Sequence, residues 1–230
     1  METSLEDVGY QLWAGALLLC DYLLHYGDSI QLQAKHSGIL DLGAGLGITS
    51  IVAAMFASWV ICTDYRVDIL AQAESNWHRN KWLLPQVKCE DVLFKVLDWN
   101  CGDNFHIADK NNSNKYAFEE SHKQILHSTN TILAAEVVYD EDLTDAFFKT
   151  IYHLLLYPPA KNVLVTLEKR IVFRAENLDV CSPAYEHFHK NLDDLVTVDE
   201  GPVRFCAEQI STSFPQYFQY TRTKEMVSFK

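Results

Sequence analysis

Residues 39–47 (ILDLGAGLG) constrain the fold of this chain more than any other segment. An apolar run that ends in a glycine cluster predicts a buried strand followed by a tight turn. The next residues, 48–57 (ITSIVAAMFA), are mostly apolar and predict a helix. Glycines also let a ligand approach the main chain without meeting side chains. The segment therefore predicts a strand, a turn and a helix, with a ligand lying against the turn.

The spacing of the glycines argues against a dinucleotide as that ligand. A dinucleotide turn requires Gly-x-Gly-x-x-Gly or Ala, and counting from Gly43 and Gly45 places the branched Ile48 at the third position. The third glycine comes one residue earlier, at Gly47. A purely structural turn stays open at this point, and the neighbouring motifs have to decide.

Length and charge limit the possible architectures and partners. A chain of 230 residues with 48% hydrophobic content can bury a full core, and we interpret residues 1–230 as a single domain. The formal net charge of -12 disfavours direct binding to nucleic acid, for which a basic face is expected. It favours a basic or neutral partner.

The cysteines and the N-terminal region indicate a compartment. Six cysteines include no Cys-x-x-Cys pair, so no metal site is expected, and a reducing, intracellular location in the nucleus, the cytoplasm or both is favoured. No basic segment precedes the first apolar stretch, and residues 16–26 (ALLLCDYLLHY) are too short to cross a membrane. An N-terminal extension beyond Met1 is also expected, and the oligomeric state stays open, with a monomer compatible.

Strand and helix patterns alternate along the chain, which predicts a parallel sheet with crossover helices. A C-terminal antiparallel hairpin is expected from residues 203–209 and 216–229, which are rich in aromatic and β-branched residues, and a helix is expected to begin after Ser182. The expected parallel strands are 38–42, 59–63, 95–97, 131–135 and 162–167.

Residues 100–130 form a polar, Asn-rich segment that is too long for an ordinary α/β connection. We expect a surface insertion there. It is either a loop joined to a crossover helix or a flap that faces the substrate.

Four strand ends carry acidic side chains: Asp41, Asp64, Asp98 and Glu136. Open α/β sheets bind ligands at the carboxyl ends of their strands, so four acids at one rim predict a ligand site. Asp64 lies 17 residues after Gly47, near the spacing at which a carboxylate accepts hydrogen bonds from a ribose. Asp98 could accept from an exocyclic amine, and Trp99 offers a face for stacking on a purine. The expected ligand is adenosine without a pyrophosphate, as in S-adenosylmethionine.

Together, ILDLGAGLG, Asp64, LDW (97–99) and AAEVVYD (134–140) resemble the seven-β-strand S-adenosylmethionine-dependent methyltransferases. Within these, the chain resembles the protein lysine methyltransferases of methyltransferase family 16, whose Trp-x-Gly-Ala-x-x-Leu segment matches residues 13–19. The resemblance implies an α/β, Rossmann-like seven-stranded sheet, mostly parallel with a C-terminal antiparallel hairpin. It also implies S-adenosyl-L-methionine as cofactor and S-adenosyl-L-homocysteine as product.

The resemblance implies a role for individual residues. Trp13 would contact the methionine end of the cofactor, Asp64 would hold the ribose, and Trp99 would flank the adenine. Glu136 and Tyr139 match the acidic-x-x-Tyr motif after the fourth strand, although many family members have Asp where Glu136 stands. They are the expected catalytic residues. The expected cofactor-binding residues are Trp13, Asp41, Gly43, Ala44, Gly45, Gly47, Asp64, Asp98, Trp99 and Ala135.

The implied activity is transfer of a methyl group to a lysine side chain of a non-histone protein with basic surroundings. Glu136 would orient the amine, and Tyr139 would line its channel. Asp140, Glu141, Asp142 and Asp145 either steer a basic substrate or simply begin a helix. Residues 167–173 could place Glu168 or Arg170 near the entrance. A small-molecule methyltransferase and a non-catalytic cofactor-binding module remain alternatives.

Overall fold

The computed structural model describes residues 8–31, 37–84, 89, 92–101, 114–174, 179–199 and 203–230. Short 3-10 turns lie at Val8–Tyr10, Lys81–Leu83 and Trp99–Cys101. The helices are α1 (Ala14–Gln31), α2 (Ile48–Ala53), α3 (Val67–Asn80), α4 (Glu120–Ser128), α5 (Glu141–Leu156) and α6 (Pro183–Thr197). The strands are β1 (Gly38–Leu42), β2 (Trp59–Asp64), β3 (Val92–Val96), β4 (Thr131–Ala135), β5 (Asn162–Glu168), β6 (Val172–Arg174), β7 (Asp179–Cys181), β8 (Gln209–Ile210) and β9 (Met226–Phe229).

Seven strands form one sheet in the order β3-β2-β1-β4-β5-β9-β8, and β6 pairs with β7 in a separate hairpin. The first five strands are parallel, whereas β9 runs antiparallel to both β5 and β8. The order reverses between β1 and β4, where a parallel sheet opens a crevice at its carboxyl edge. The predicted α/β fold with a mostly parallel seven-stranded sheet is confirmed.

Helices cover both faces of this sheet. On one face α1, α2 and α3 bury an apolar cluster that includes Leu23, Val52 and Trp77. On the other face α4, α5 and α6 bury a second cluster, built around Phe147 and Phe188. All five residues of β1 are buried, as expected for a central parallel strand covered on both sides.

The predicted strand bounds agree with the structure to within one residue for four of the five parallel strands. The first and fourth strands match, and the second and fifth each extend one residue further. The third prediction, 95–97, is wrong, because β3 is Val92–Val96, which begins three residues earlier and ends one residue earlier. The Lys95 ammonium lies buried and donates to the Ala117 carbonyl at 2.9 Å, so a charged residue occupies a strand interior.

The C-terminal hairpin is antiparallel as predicted, but its paired part is much shorter. Only Gln209–Ile210 and Met226–Phe229 pair as strands. The predicted helix after Ser182 is α6, with Ser182 as N-cap and Pro183 in its first turn.

The predicted insertion at 100–130 falls partly outside the described residues, because 102–113 are not described. The described remainder is anchored to the protein: Tyr116, Phe118 and Leu126 are buried, and α4 is the crossover helix into β4.

The carboxylate of Asp21, in the middle of α1, attaches the C-terminal segment to the domain. This fully buried group accepts hydrogen bonds from the backbone N–H groups of Tyr217 and Phe218 and from the Tyr220 hydroxyl. The Arg222 guanidinium donates to it at 2.7 Å. Because four donors surround one carboxylate, this contact fixes a segment that has little secondary structure.

Candidate active site

A cavity of about 360 Å³ opens at the carboxyl edge of β1, β2 and β4. Its volume lies in the range of small-molecule sites. Eleven of the twelve predicted site residues line it: Trp13, Asp41, Gly43, Ala44, Gly45, Asp64, Asp98, Trp99, Ala135, Glu136 and Tyr139. The twelfth, Gly47, closes the turn at the start of α2, where its backbone packs against Ala73.

The glycine turn brings bare backbone to the cavity floor. Gly43 and Gly45 both have a left-handed conformation, with φ of 64° and 52°. A Cβ on Gly43 would lie 3.1 Å from Val137 and 3.2 Å from the Trp99 ring, whereas one on Gly45 would lie 3.2 Å from the Gly9 carbonyl. Glycine is therefore required both by conformation and by the closeness of these neighbours.

Asp41 stabilises the glycine turn by hydrogen bonds to the start of α2. Its carboxylate accepts hydrogen bonds from the hydroxyls of Thr49 and Ser50, the latter at 2.6 Å, in the first turn of α2. Burial raises the pKa of Asp41 to about 6, and the two hydroxyls partly oppose that effect. The structure thus gives Asp41 a clear role in fixing the turn, next to its place in the cavity wall.

Asp64, at the end of β2, presents a buried carboxylate to the cavity. It accepts the Gly45 N–H at 3.1 Å and the Arg66 N–H at 3.2 Å. Burial raises its pKa, and these backbone donors oppose the rise. A carboxylate can accept about four hydrogen bonds, so Asp64 keeps capacity for a pair of ligand hydroxyls.

Asp98 and Trp99 form the wall that follows β3. Asp98 accepts the backbone N–H of Asn100 at 2.9 Å and so shapes the 3-10 turn. The Trp99 ring contacts Phe147 of α5 edge-on, with ring centroids 5.3 Å apart. Its indole is thereby fixed beside Gly43, as a flat apolar side of the cavity.

Glu136 follows β4 directly and has a strained backbone, with φ of 57° in a residue other than glycine. Its Oε1 accepts the Gly15 N–H at 3.0 Å, at the first turn of α1. Burial raises its pKa to about 7, while the nearby Arg170 lowers it and Glu168 raises it. A carboxylate in this state carries a proton part of the time at neutral pH, which suits acid–base work.

Arg170 brings a cation to the cavity mouth. Its guanidinium lies over the Trp13 ring, 5.2 Å from the centroid, and 5.9 Å from that of Tyr139. Burial raises the pKa of Tyr139. The sequence suggested Glu168 or Arg170 at the entrance, and only Arg170 lines the cavity; Glu168 instead accepts from the Thr223 hydroxyl at 2.9 Å.

Several lining residues were not expected from the sequence. Leu12 and Tyr65 line the cavity and are 52% and 55% exposed, at its rim. Each adjoins a predicted site residue, Trp13 or Asp64, and that adjacency is the one signal that could have identified them. Gly9 and Gln11 come from the segment before α1, which has no motif of its own.

The acidic segment after Tyr139 serves α5. Asp140 caps this helix by accepting the Leu143 N–H at 2.9 Å, and Asp145 binds His187 and Asn191 of α6. Glu141 and Asp142 are exposed in the first turn, where acidic residues favour a helix. The interpretation of these acids as a helix start therefore accounts for Asp140, while Glu141 and Asp142 remain exposed at the surface.

The residues of the cavity fit S-adenosylmethionine. The bare turn at Gly43 and Gly45 leaves room that a Cβ would fill, Asp64 keeps acceptors for a ribose diol, and Trp99 offers a flat face for a purine. Within the described part of the chain, no group of three or more His, Cys, Asp or Glu residues could hold a metal ion, and no helix is long and apolar enough to span a membrane.

Curated proteins of similar sequence carry methyltransferase names. Methyltransferase-like protein 22 from Mus musculus is 40% identical over 231 residues, which cover 100% of this chain and 57% of the relative. The Homo sapiens protein of the same name is 40% identical, covering 100% and 55%. Protein-lysine methyltransferase METTL21E from Mus musculus is 28% identical, covering 64% and 51%. The chain thus spans little more than half the length of these relatives.

Solved structures share the fold. The methyltransferase domain of bacterial CtHen1 aligns with a TM-score of 0.52 at 13% identity, covering 92% of this chain and 98% of the other. An O-methyltransferase from Bacillus cereus, crystallised with SAH, aligns with a TM-score of 0.50 at 16% identity, covering 95% and 80%. At these identities the likeness shows the fold alone.

A family model described as lysine methyltransferase matches residues 1–194. The match confirms the family predicted from the motifs, and with it the class of cofactor. This chain belongs to the lysine methyltransferase family.

Proposed function

We propose that this chain transfers a methyl group from S-adenosylmethionine to a lysine side chain of a non-histone protein. The observation that carries the proposal is the position of Glu136 and Tyr139 on the wall of the cavity that also contains the glycine turn and Asp64. A carboxylate that can orient an amine therefore lies beside a site that fits the methyl donor.

The cofactor, when bound, supplies an electrophilic methyl group on a sulfonium. Asp64 would hold the ribose hydroxyls, Trp99 would lie along the adenine, and Trp13 would contact the methionine end. These contacts align the donor for in-line transfer, and the apolar walls keep water from the reacting atoms.

Glu136 and Tyr139 act on the incoming amine. The ionised Glu136 accepts a hydrogen bond from the lysine ammonium, and it can take up the proton that has to leave before the nitrogen attacks. Its pKa of about 7 permits that uptake at neutral pH. The Tyr139 ring lines the channel, and the Arg170 guanidinium disfavours a second positive charge there.

The open rim favours a protein substrate over a small molecule. Leu12, Tyr65 and Arg170 line the cavity and are exposed, so a macromolecule can contact them while a side chain enters. Exposed Glu141 and Asp142 and a net charge of -12 favour a lysine with basic surroundings and disfavour direct contact with nucleic acid. We extend the proposal to an intracellular site of action, nuclear or cytoplasmic, because Cys20, Cys62 and Cys89 are buried free thiols.

Cofactor binding can be tested by calorimetry with S-adenosylmethionine, S-adenosylhomocysteine and a nicotinamide dinucleotide. We expect the first two to bind and Asp64→Ala to weaken binding by about 1–3 kcal/mol, since a buried charged hydrogen bond is lost. Asp193→Ala, on the exposed face of α6, is the control. Preferential binding of the nicotinamide dinucleotide would contradict the proposal.

The substrate class can be tested with labelled cofactor and a cell extract. We expect label on lysine residues of one or a few proteins, located by mass spectrometry, and much less label with Glu136→Gln. Label in metabolites alone would indicate a small-molecule methyltransferase, whereas cofactor binding without any transfer would indicate a non-catalytic module.

A further inference from the structure

Glu136 is tied to two elements that are distant in sequence. Its Oε1 accepts the Gly15 N–H at 3.0 Å, and its own backbone N–H donates to the Thr166 carbonyl at 2.9 Å. The Thr166 hydroxyl donates to the Gly15 carbonyl at 2.8 Å. These three hydrogen bonds form a closed ring that joins the first turn of α1, the residue after β4 and the interior of β5.

Gly15 also makes the ring sterically possible. A Cβ at this position would collide with Oε1 and would lie 2.8 Å from both Cδ and Cγ of Glu136. The collision would be with the flexible end of a side chain, so the carboxylate would have to move away. The helix would not have to move.

Helix stability gives no reason for a glycine at this position. Alanine is more favourable than glycine inside a helix by about 1 kcal/mol. Gly15 lies in the first turn of α1 and is buried, with no positive φ. Its absent side chain therefore matters for Glu136 and not for the helix itself.

We propose that Gly15, held in place by the Thr166 hydroxyl, is the positioning residue for the Glu136 carboxylate in methyl transfer. The inference rests on the proposed function for its catalytic consequence. Its structural content, the hydrogen bond and the space that Gly15 leaves, does not depend on turnover.

The charges that face Glu136 come from other elements and stay in place when Gly15 is changed. Arg170 and Glu168 approach from the end of β5. Tyr139 lies on the same connection as Glu136, between β4 and α5. A substitution at Gly15 therefore changes the geometry and hydrogen bonding of the carboxylate while its charged neighbours remain.

The hydrogen bond can be tested directly by NMR, whether or not the chain turns over. The chain has nine glycines, so [¹⁵N]glycine labelling gives few amide signals. We expect the Gly15 amide shift to titrate with a midpoint near pH 7 and to lose this titration in Glu136→Gln. A Gly15 signal that does not titrate, or that titrates equally in Glu136→Gln, would overturn the proposal.

The catalytic consequence can be tested with Gly15→Ala against Gly27→Ala, a matched change in the same helix. A Cβ on Gly27 would lie 2.6 Å from the Phe56 ring, in the core and away from Glu136. We expect Gly15→Ala to lower kcat at least tenfold, with cofactor Kd within twofold and no loss of Tm. Gly27→Ala should do the reverse, with a lower Tm and an unchanged kcat.

Two further comparisons separate positioning from a general structural role. In the Glu136→Gln background, Gly15→Ala should lower kcat by less than twofold, because its effect acts through the carboxylate. Thr166→Val should lower kcat, whereas Thr166→Ser, which keeps the hydroxyl, should restore it. Equal losses from Gly15→Ala in both backgrounds would overturn the proposal, and so would equal activities of the two Thr166 variants.

Discussion

Helix α1 meets two carboxylates, the buried Asp21 in its middle and the partly buried Glu136 at its first turn, and the two have different surroundings. Asp21 accepts two backbone N–H groups, a hydroxyl and the Arg222 guanidinium. Glu136 accepts the Gly15 N–H, but its neighbouring cation, Arg170, lies over the rings of Trp13 and Tyr139. One carboxylate is fully partnered, and the other keeps capacity for a ligand.

This difference indicates that Asp21 mainly stabilises the fold, whereas Glu136 is available to a ligand. A buried charge with all its partners fixes the elements that supply them, and removing it leaves those partners unpaired. Burial raises the pKa of Glu136, so this carboxylate holds its proton more tightly than an exposed glutamate does. Such a group is costly for the fold, but it can exchange a proton with a substrate near neutral pH.

The largest expected effect tests the partnered carboxylate. Asp21→Ala should lower the free energy of unfolding by about 3 kcal/mol, because Arg222 and two backbone N–H groups lose their acceptor. Chemical denaturation measures this change, with Asp193→Ala of α6 as a surface control expected within about 0.5 kcal/mol of the wild type. A loss no larger than that of the control would remove the distinction between the two carboxylates.

The second effect is on turnover. Glu136→Gln should lower the single-turnover rate at saturating cofactor by about a hundredfold, because the group that orients the amine and accepts its proton is lost. Cofactor affinity should stay close to that of the wild type, and calorimetry on the same preparation checks this. A rate near that of the wild type would show that Glu136 merely joins α1 to the end of β4.

The pH dependence should reveal the same carboxylate. Activity should rise with pH through a midpoint near 7 as Glu136 ionises, and this midpoint should be absent in Glu136→Gln. Stability should change in the opposite direction. Because the pKa is about 7 in the folded chain against an ordinary 4.5, the contribution of Glu136 to stability falls as pH rises between these values.

That stability effect has its own measurement. Denaturation of the wild type and Glu136→Gln at pH 5 and pH 8 should show the variant gaining relative to the wild type at the higher pH. An equal difference at both values would mean that Glu136 titrates alike in the folded and unfolded chain.

The smallest effect concerns Tyr139. Tyr139→Phe keeps the ring that lines the channel and removes the hydroxyl, so turnover should fall by about tenfold or less, roughly the 1 kcal/mol of one hydrogen bond. Tyr152→Phe, outside the cavity on α5, is the control for removing a hydroxyl. A larger loss than in Glu136→Gln would move the centre of the chemistry from the carboxylate to the phenol.

The local sequence was sufficient to predict the structural features that depend mainly on neighbouring residues in the chain. β1 is apolar apart from Asp41 and β4 is apolar after Thr131, and both were predicted residue for residue. The glycine turn was readable because left-handed backbone at Gly43 and Gly45 leaves a clear compositional mark. In contrast, the third strand was predicted to begin at Lys95, whereas β3 begins at Val92, and the buried Lys95 ammonium depends on the Ala117 carbonyl, 22 residues away.

The features that the sequence did not reveal depend on distant partners. Nothing around Glu136 indicates that its carboxylate meets Gly15, because the two residues are 121 positions apart. The C-terminal segment was expected to be largely strand, whereas contacts with Asp21 hold much of it without a ladder. Motifs identified the residues of the site, but only tertiary contacts assign Asp41 to the turn and Arg170 to the rim.

The two contacts of α1 also determine when the structure around Glu136 can be completed during synthesis of the chain. The hydrogen bond between Gly15 and Thr166 cannot form until Thr166 is made, 151 residues later. The bond between Asp21 and Arg222 cannot form until Arg222 is made, 201 residues later. At ribosomal rates of roughly 5–20 residues per second, the first interval lasts about 8–30 seconds. Before Thr166 is made, a nascent chain can carry the glycine turn but lacks the ring that orients Glu136. Under the proposed function, a nascent chain that ends before Thr166 therefore lacks the contact that positions Glu136.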